Sequence, residues 1–240
     1  MKQEFDRYNQ DDFDVWRTLF ERQETNLQDK ACDEYMLSLD RMRPVLRADA
    51  PPNFDEINAW FTGSTGWEIQ CVPGLIPVED FFQLLAKKKF CSSTWLRSME
   101  QLDYLEEPDM FHDIFGHVPL LADPIFSDFA QEFGKLGCSV LNDPERVIML
   151  QRLYWFTIEF GLVEQRGLKI YGAGIASSFG ESNSSISGAI PTVEFDMEDV
   201  MHTEFRTDVM QSKYIVIESF EQLFESLLKV TQNWKKSIVI

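Results

Sequence analysis

The 240-residue sequence has few basic side chains. Its 22 lysines and arginines stand against 40 aspartates and glutamates, which leaves a formal net charge of −18. Proteins that bind nucleic acids or anionic membranes rely on lysine and arginine to neutralise phosphate groups. We therefore expect no nucleic-acid partner and no membrane surface, and we expect small molecules or cations as the ligands.

Long apolar runs are lacking as well. No stretch of about 18 consecutive apolar residues occurs, which is the length that a membrane-spanning helix needs. The opening segment MKQEFDRYNQDDFDVW contains no apolar core of signal-peptide length. The sequence therefore predicts a cytoplasmic protein.

Closely spaced cysteines are missing too. The four cysteines, Cys32, Cys71, Cys91 and Cys138, lie 20 or more residues apart. This spacing excludes a CxxC zinc or redox motif and does not form a dense disulfide framework. We expect four reduced thiols.

The sequence does contain enough apolar material for one sizeable core, with 44% hydrophobic and 13% aromatic residues. No Pro/Gly/Ser-rich linker, low-complexity tract or repeat divides it, so a single domain is expected. Apolar periodicity and capping residues predict helices at about 12–24, 28–41, 53 onward, 78–88, 125–135, 143–161 and 219–233. Runs rich in β-branched and aromatic residues predict short strands at WEIQCV, LKIYGA, YIVIES and the terminal SIVI. The expected fold class is mainly α with a few short β-strands.

Two of the three histidines, His112 and His117, lie in the apolar run PDMFHDIFGHVPLL. Five residues of a regular helix turn through about 500°, which leaves the two rings about 140° apart. Gly116 and Pro119 are helix stop signals, so we expect His112 in a last helical turn and His117 at or beyond its end. Buried imidazoles need polar partners, which are either backbone groups or a divalent cation that both rings bind.

Glu159 lies in LYWFTIEFGL, the most aromatic segment of the chain. A carboxylate there either points to solvent or is compensated by a cation. Two histidines and one carboxylate form the facial triad of non-heme Fe(II) oxygenases, and zinc hydrolases use the same ligand types. The HExxH motif of zinc proteases is absent. The residue types leave three classes open: an iron oxygenase, a zinc hydrolase, and a non-catalytic acidic binding protein whose histidines merely pack.

Three blocks of sequence carry a family resemblance: EEPDMFHDIFGHVPLLADPIFSDFAQEFG, LYWFTIEFGL and IYGAGIASSFGE. Together they resemble the pterin-dependent aromatic amino acid hydroxylases, and most closely the bacterial phenylalanine 4-hydroxylases. The likeness extends from VWRTLFERQ to YIVIESFEQL, so it covers nearly the whole chain as one catalytic domain, residues 1–240.

The resemblance implies that His112, His117 and Glu159 are catalytic iron ligands. It implies Fe(II) as the metal, with a tetrahydropterin and O2 as cosubstrates, for hydroxylating the ring of a free L-aromatic amino acid. Phenylalanine to tyrosine is the expected reaction. Tyrosine or tryptophan hydroxylation is the alternative, because Thr207 and Asp208 lie close to positions that influence ring choice in this family.

The resemblance also assigns substrate-binding residues. Arg97 matches the arginine that binds the substrate carboxylate, and a guanidinium fork suits that task because it forms two parallel charge-assisted bonds. Asp109 matches the residue that supports this arginine, although alone it would be a helix N-cap. Trp155 lies one helical turn before the third iron ligand and matches a wall of the substrate pocket. Ser177 and Glu181 match residues near the substrate carboxylate and the iron ligands.

The implied pterin site has a ring-stacking phenylalanine, Phe81, and a loop formed by Gly74, Leu75 and Ile76. Asp113 takes a place from which a water-mediated contact to the pterin is expected. No segment corresponding to the regulatory extension or the tetramerisation tail of animal members is recognised, so the resemblance implies a monomer.

Overall fold

The computed structural model describes residues 1–103, 105, 107–207 and 209–238. Its helices in chain order are α1 (Gln10–Leu27), α2 (Asp33–Arg41), α3 (Phe54–Thr62), α4 (Val78–Ala86), α5 (Pro124–Ser139), α6 (Pro144–Tyr154), α7 (Ala173–Ser177), α8 (Phe179–Ser184), α9 (Met197–His202) and α10 (Phe220–Ile238). Its strands are β1 (Glu68–Cys71), β2 (Lys89–Ser92), β3 (Gly161–Glu164), β4 (Leu168–Ile170), β5 (Thr192–Glu194) and β6 (Tyr214–Ile217). Two π-helices, His112–His117 and Trp155–Glu159, interrupt the regular helices. The predicted fold class, mainly α with short strands, is confirmed.

Local sequence accounts for where the main helices begin. The side chain of Asn53 accepts hydrogen bonds from the backbone N–H groups of Asp55 and Glu56, as predicted for the start of α3. Asp143 likewise caps α6, whose first residue is Pro144. The helix expected from residue 28 begins only at Asp33, because the preceding segment forms a turn and the backbone of Ala31 and its neighbours pairs with β4.

The strands form two small sheets. β1 and β2 pair in parallel, and the second sheet has the order β4-β3-β6-β5. β3 and β4 form an antiparallel hairpin whose turn contains Arg166 and Gly167, both with positive φ. β1, β4 and β6 confirm the predicted strands. The predicted terminal strand SIVI is wrong at 237–238, which continue α10, and 239–240 lie outside the described residues.

Aromatic packing fixes the segment that carries the histidine pair. Phe111 and Phe115 stack with ring centroids 4.8 Å apart, and Trp16 of α1 meets Phe111 edge-on. The buried hydroxyl of Tyr35 in α2 donates to the backbone carbonyl of Phe115 at 2.5 Å. α1 and α2 therefore stabilise the first π-helix. Trp16 of α1 packs beside it, and Tyr35 of α2 donates a hydrogen bond to one of its backbone carbonyls.

Helix α4 packs closely on α5. A Cβ atom at Gly134 of α5 would lie 2.4 Å from the backbone nitrogen of Ala86, so only glycine permits this approach.

Among the described residues, none of the helices combines the length and apolar character that crossing a lipid bilayer requires.

Candidate metal centre and active site

The two histidines meet through a π-helix. The helical segment ends at His117, as predicted, but both residues belong to one π-helix, His112–His117, and not to a regular helical turn. In a π-helix the backbone bonds run from i to i+5, so residues five apart lie on the same side. The two Nε2 atoms are 3.2 Å apart, with ring planes at 85°. Two side chains five residues apart would point in different directions from an α-helix. In this π-helix the same spacing brings the two imidazole rings together.

Glu159 joins the pair from the end of the second π-helix. Its Oε1 lies 3.0 Å from Nε2 of His117, and its Oε2 lies 3.7 Å from Nε2 of His112. Two ligands at about 2.1 Å from one metal ion and at right angles to each other are about 3.0 Å apart. Among the described residues these three form the cluster whose ligand atoms could hold a metal ion. The donor types and their separations fit a facial two-histidine, one-carboxylate site.

The protonation states of the cluster suit a cation. Burial lowers the pKa of His112 to about 4, although the Glu159 carboxylate opposes the shift. Burial raises the pKa of Glu159, but the two histidines together outweigh it and the pKa falls to about 2. At neutral pH His112 is neutral and Glu159 is ionised, which are the forms that bind metals.

Ser177 sets the orientation of the His112 ring. Its hydroxyl lies 2.9 Å from Nδ1 of His112 and donates to the carbonyl of Ala173 at 2.8 Å. Because the single hydroxyl proton is used by Ala173, the oxygen accepts from Nδ1–H. This arrangement leaves the lone pair on Nε2, which faces Glu159 and His117.

Arg97 and Asp109 form a buried bidentate pair. The Nε and Nη2 atoms of Arg97 donate to the two carboxylate oxygens at 2.9 and 2.8 Å. Asp109 also accepts from the backbone N–H groups of Arg97 and His112, both at 3.1 Å. It therefore supports the arginine and caps the helical segment that carries the first histidine. Both roles weighed for Asp109 are present in its contacts.

A cavity of about 340 Å³ opens above the metal cluster. Its wall contains nine of the residues predicted from sequence: Gly74, Leu75, Ile76, Phe81, His112, Asp113, His117, Trp155 and Glu159. Arg97, Asp109, Ser177 and Glu181 are buried and do not belong to the lining. The structure thus places the predicted pterin residues, the candidate metal ligands and Trp155 around one space, while Asp109 and Ser177 contact the lining residue His112.

Asp113 is the acidic residue of the wall on the predicted pterin side. Its Oδ2 accepts from the backbone N–H of Ser93 at 2.9 Å. Burial raises its pKa to about 7, with the Ser93 hydrogen bond opposing the shift. Phe81 meets Tyr154 edge-on at 5.2 Å, which fixes the angle of its ring in the cavity.

Glu181 holds the outer loop in place. Its carboxylate accepts from the Tyr214 hydroxyl and from the backbone N–H of Gln211, the latter at 3.3 Å. The side chain of Gln211 in turn accepts from Nε1 of Trp155 at 3.0 Å. Glu181 is therefore linked to Trp155 through hydrogen bonds to Gln211.

Sequence reasoning missed several wall residues. Tyr154 stacks near His117 at 6.2 Å and interacts with Glu159, five residues later in the same helical turn. Phe90 packs on the same His117 ring, with centroids 4.8 Å apart, and Phe205 stacks on Trp155. The i, i+5 spacing of Tyr154 and Glu159 was the available signal. Thr207 is exposed, and Asp208 lies outside the described residues.

Comparisons with known proteins agree with this geometry. The family model of biopterin-dependent aromatic amino acid hydroxylases matches residues 4–240. Phenylalanine-4-hydroxylase of Ralstonia nicotianae is 46% identical over 228 residues, covering 94% of this chain and 72% of that protein. The resemblance inferred from the sequence blocks is confirmed.

Solved structures of phenylalanine hydroxylase from Chromobacterium violaceum are also similar. One, with bound iron(III) and the oxidised cofactor 7,8-dihydrobiopterin, is 44% identical with a TM-score of 0.92, covering 99% of this chain and 86% of that one. Another, with iron and phenylalanine bound, is 43% identical with a TM-score of 0.88, covering 94% and 82%. The chain belongs to the family of biopterin-dependent aromatic amino acid hydroxylases.

Proposed function

We propose that this enzyme hydroxylates L-phenylalanine to L-tyrosine with Fe(II), a tetrahydropterin and O2. One observation carries the proposal: two histidines and a glutamate converge at one side of a cavity whose other walls are mostly aromatic and apolar. The similar proteins are phenylalanine hydroxylases, one of them described with iron and phenylalanine. The zinc-hydrolase and tyrosine or tryptophan alternatives are not favoured by these relatives.

The metal is held by His112, His117 and Glu159 in this proposal. These three side chains would hold the ion from one side and leave room for further ligands from the cavity. Ser177 keeps the lone pair of His112 on the metal side. Fe(II) and the pterin, when bound, supply oxygen activation and electrons, while the side chains bind, orient and exclude water.

The pterin is assigned to the side of the cavity formed by α4 and the preceding loop. Phe81 offers its ring for stacking, and Gly74, Leu75 and Ile76 border the same space. Asp113 supplies a carboxyl group to this mostly apolar wall. A flat heterocycle with polar edges matches an aromatic face with hydrogen-bonding groups beside it.

The amino acid is assigned to the opposite side. Two edges of the Arg97 guanidinium are used by Asp109, and Nη1 makes only a long 3.4 Å bond to the carbonyl of Leu102. Nη1 is therefore the group proposed to meet the substrate carboxylate. Trp155 forms the aromatic wall, and Ser177 and Glu181 act through the residues that they hold.

The proposal extends to the setting in which the enzyme works. We infer a monomer in the cytoplasm that binds no nucleic acid. A net charge of −18 makes copies of the chain repel one another and repels polyphosphates. The four cysteines are free thiols, as suits a reducing compartment.

Product analysis tests the function. Fe(II)-loaded protein is incubated with O2, a tetrahydropterin and equal amounts of phenylalanine, tyrosine and tryptophan, and the products are identified by mass. We expect pterin-dependent addition of one oxygen, mainly to phenylalanine. Zinc-loaded protein and His117→Gln are the controls, and both are expected to form no product. Iron-loaded protein that oxygenates none of the three amino acids contradicts the proposal.

A further inference from the structure

The indole of Trp155 packs against two phenylalanine rings. Phe160, which follows the second π-helix, lies with its centroid 4.7 Å from that of the indole and its plane tilted by 41°. Phe205 lies 4.6 Å away with an interplanar angle of 19°. Near-parallel rings at this distance are stacked, so Phe205 covers a face of the indole.

Phe205 comes from the loop between α9 and β6 and reaches the active-site cavity. It is half-buried and lines the same cavity as His112, His117 and Glu159, whereas Phe160 is not one of the lining residues. Its edge also meets Phe156 at 6.4 Å and 87°. A substrate ring that approaches Trp155 from the metal side therefore encounters Phe205.

The loop that carries Phe205 is tied to the wall. Trp155 donates through Nε1 to the side chain of Gln211, and Gln211 donates through its backbone N–H to Glu181. Gln211 is only 8% exposed, so these contacts are shielded from water. They hold the loop against the indole and keep the ring of Phe205 at a defined depth in the cavity.

We propose that Phe205 determines specificity by setting the width of the aromatic slot beside the metal ligands. The inference rests on the proposed function and adds how the enzyme selects phenylalanine, which has one ring, over tryptophan, which has a bicyclic indole. The stacked ring fills space that a bicyclic side chain needs, and it presents an apolar surface that a benzyl group matches. The only polar atom of the indole in Trp155 is already used by Gln211.

Substituting Phe205→Leu tests this role. We expect the ratio of kcat/KM for tryptophan to kcat/KM for phenylalanine to rise about tenfold, the scale of discrimination by apolar contacts in a pocket. The dissociation constants of the two amino acids from Co(II)-loaded protein, measured by calorimetry, are expected to shift in the same direction. The second readout reports binding and is independent of turnover.

Two further variants provide matched controls. Phe160→Leu removes the other ring that packs on the same indole but does not line the cavity, and is expected to leave the ratio unchanged even where the total rate falls. Phe205→Tyr keeps the ring and is expected to keep the ratio. An unchanged ratio in folded Phe205→Leu, or an equal shift in Phe160→Leu, overturns the proposal.

A second variant with a larger ring, Phe205→Trp, tests the role of Phe205 if Phe205→Leu does not fold. Phe205→Trp narrows the slot, so kcat/KM for phenylalanine is expected to fall and its dissociation constant to rise; unchanged values overturn the role of Phe205. Wild-type protein that hydroxylates phenylalanine while the ratios stay constant overturns this inference alone. Wild-type protein that hydroxylates no amino acid overturns the proposed function and this inference with it.

Discussion

At the scale of single residues, the proposed metal site depends on side chains that are not among its three proposed ligands. The ring of His112 could rotate or change tautomer, and its contact with the Ser177 hydroxyl opposes both. The hydroxyl is itself fixed because it donates to the carbonyl of Ala173, four residues earlier. A single backbone carbonyl in α7 therefore determines which nitrogen of His112 carries the lone pair that faces His117 and Glu159.

Removing this hydroxyl should weaken metal binding. For Ser177→Ala we expect a 10- to 100-fold loss of affinity for Co(II), roughly the effect of losing an outer-sphere partner of a metal-bound histidine. Calorimetric titration of the metal-free protein measures it. Ser93→Ala is the matched control, because Ser93 lines the cavity while its buried hydroxyl has no partner within the described part of the chain. An equal loss in both variants would contradict the orienting role of Ser177.

At the scale of elements, close helix contacts position the two sides of the cavity. Gly134 lets α5 approach the end of α4, the helix that carries Phe81. Gly116 does the same for the first π-helix, where a Cβ atom would lie 2.8 Å from the carbonyl of Ala173. In both places the obstacle is backbone, which cannot rotate away as a side chain can.

A methyl group at the α4–α5 contact should therefore separate the helices. For Gly134→Ala we expect the free energy of unfolding to fall by about 1–3 kcal/mol, as for other overpacked interiors, with weaker binding of the pterin because Phe81 moves with α4. Urea denaturation and pterin titration are the measurements. Gly180→Ala is the control, since a Cβ atom there meets nothing within 4 Å. If both variants are equally stable, the close contact does not limit α4.

At the scale of the whole molecule, the active site is assembled from distant stretches of chain. The loop and helix around residues 74–81, the two π-helices and the loop at Phe205 surround one cavity. The chain buries an ionisable cluster at their meeting point, where His112 is neutral and Glu159 is charged. The stability of the metal-free fold is therefore linked to pH through this cluster.

The His112 ring should destabilise the metal-free protein toward acid in a defined window. The pKa of His112 is about 4 in the folded state against an ordinary value of 6.5, so between these values the unfolded chain binds a proton at this residue that the folded chain does not. The contribution of His112 to the free energy of unfolding is then lost as the pH falls from about 6.5 to 4, whereas the raised pKa of Asp113, about 7 against an ordinary 3.8, contributes in the opposite sense over nearly the same range. The lowered pKa of Glu159 extends the loss from 4.5 toward about 2. Urea denaturation at a series of pH values measures this dependence.

Two variants identify the source of the effect. His112→Gln removes the titrating ring, so its free energy of unfolding is expected to rise relative to that of the wild type as the pH falls from 6.5 to 4. His202→Gln alters a half-exposed histidine at the end of α9 and is expected to keep the pH dependence of the wild type. A pH dependence in His112→Gln that equals that of the wild type assigns the acid sensitivity to other groups.

Much of this protein is determined by local sequence. Capping residues such as Asn53 and Asp143 mark helix starts because they satisfy backbone N–H groups within three residues. The candidate ligands can be recognised from the sequence, because buried histidines and a carboxylate in an aromatic segment need polar or charged partners wherever they lie in the fold. The family blocks extend this reading to the substrate and pterin residues.

Other features were decided only by tertiary structure. The π-helices depend on i to i+5 bonding that apolar periodicity does not encode, and partners such as Tyr35 satisfy the carbonyls of the first one. β2, β3 and β5 are strands because neighbouring strands pair with them. The β-branched end SIVI continues α10 at 237–238, since extending an existing helix adds a hydrogen bond per residue. Phe205 reaches Trp155, 50 positions earlier, only through the folded chain. Sequence by itself thus determined which groups must find partners, while the long-range packing determined which partners they found.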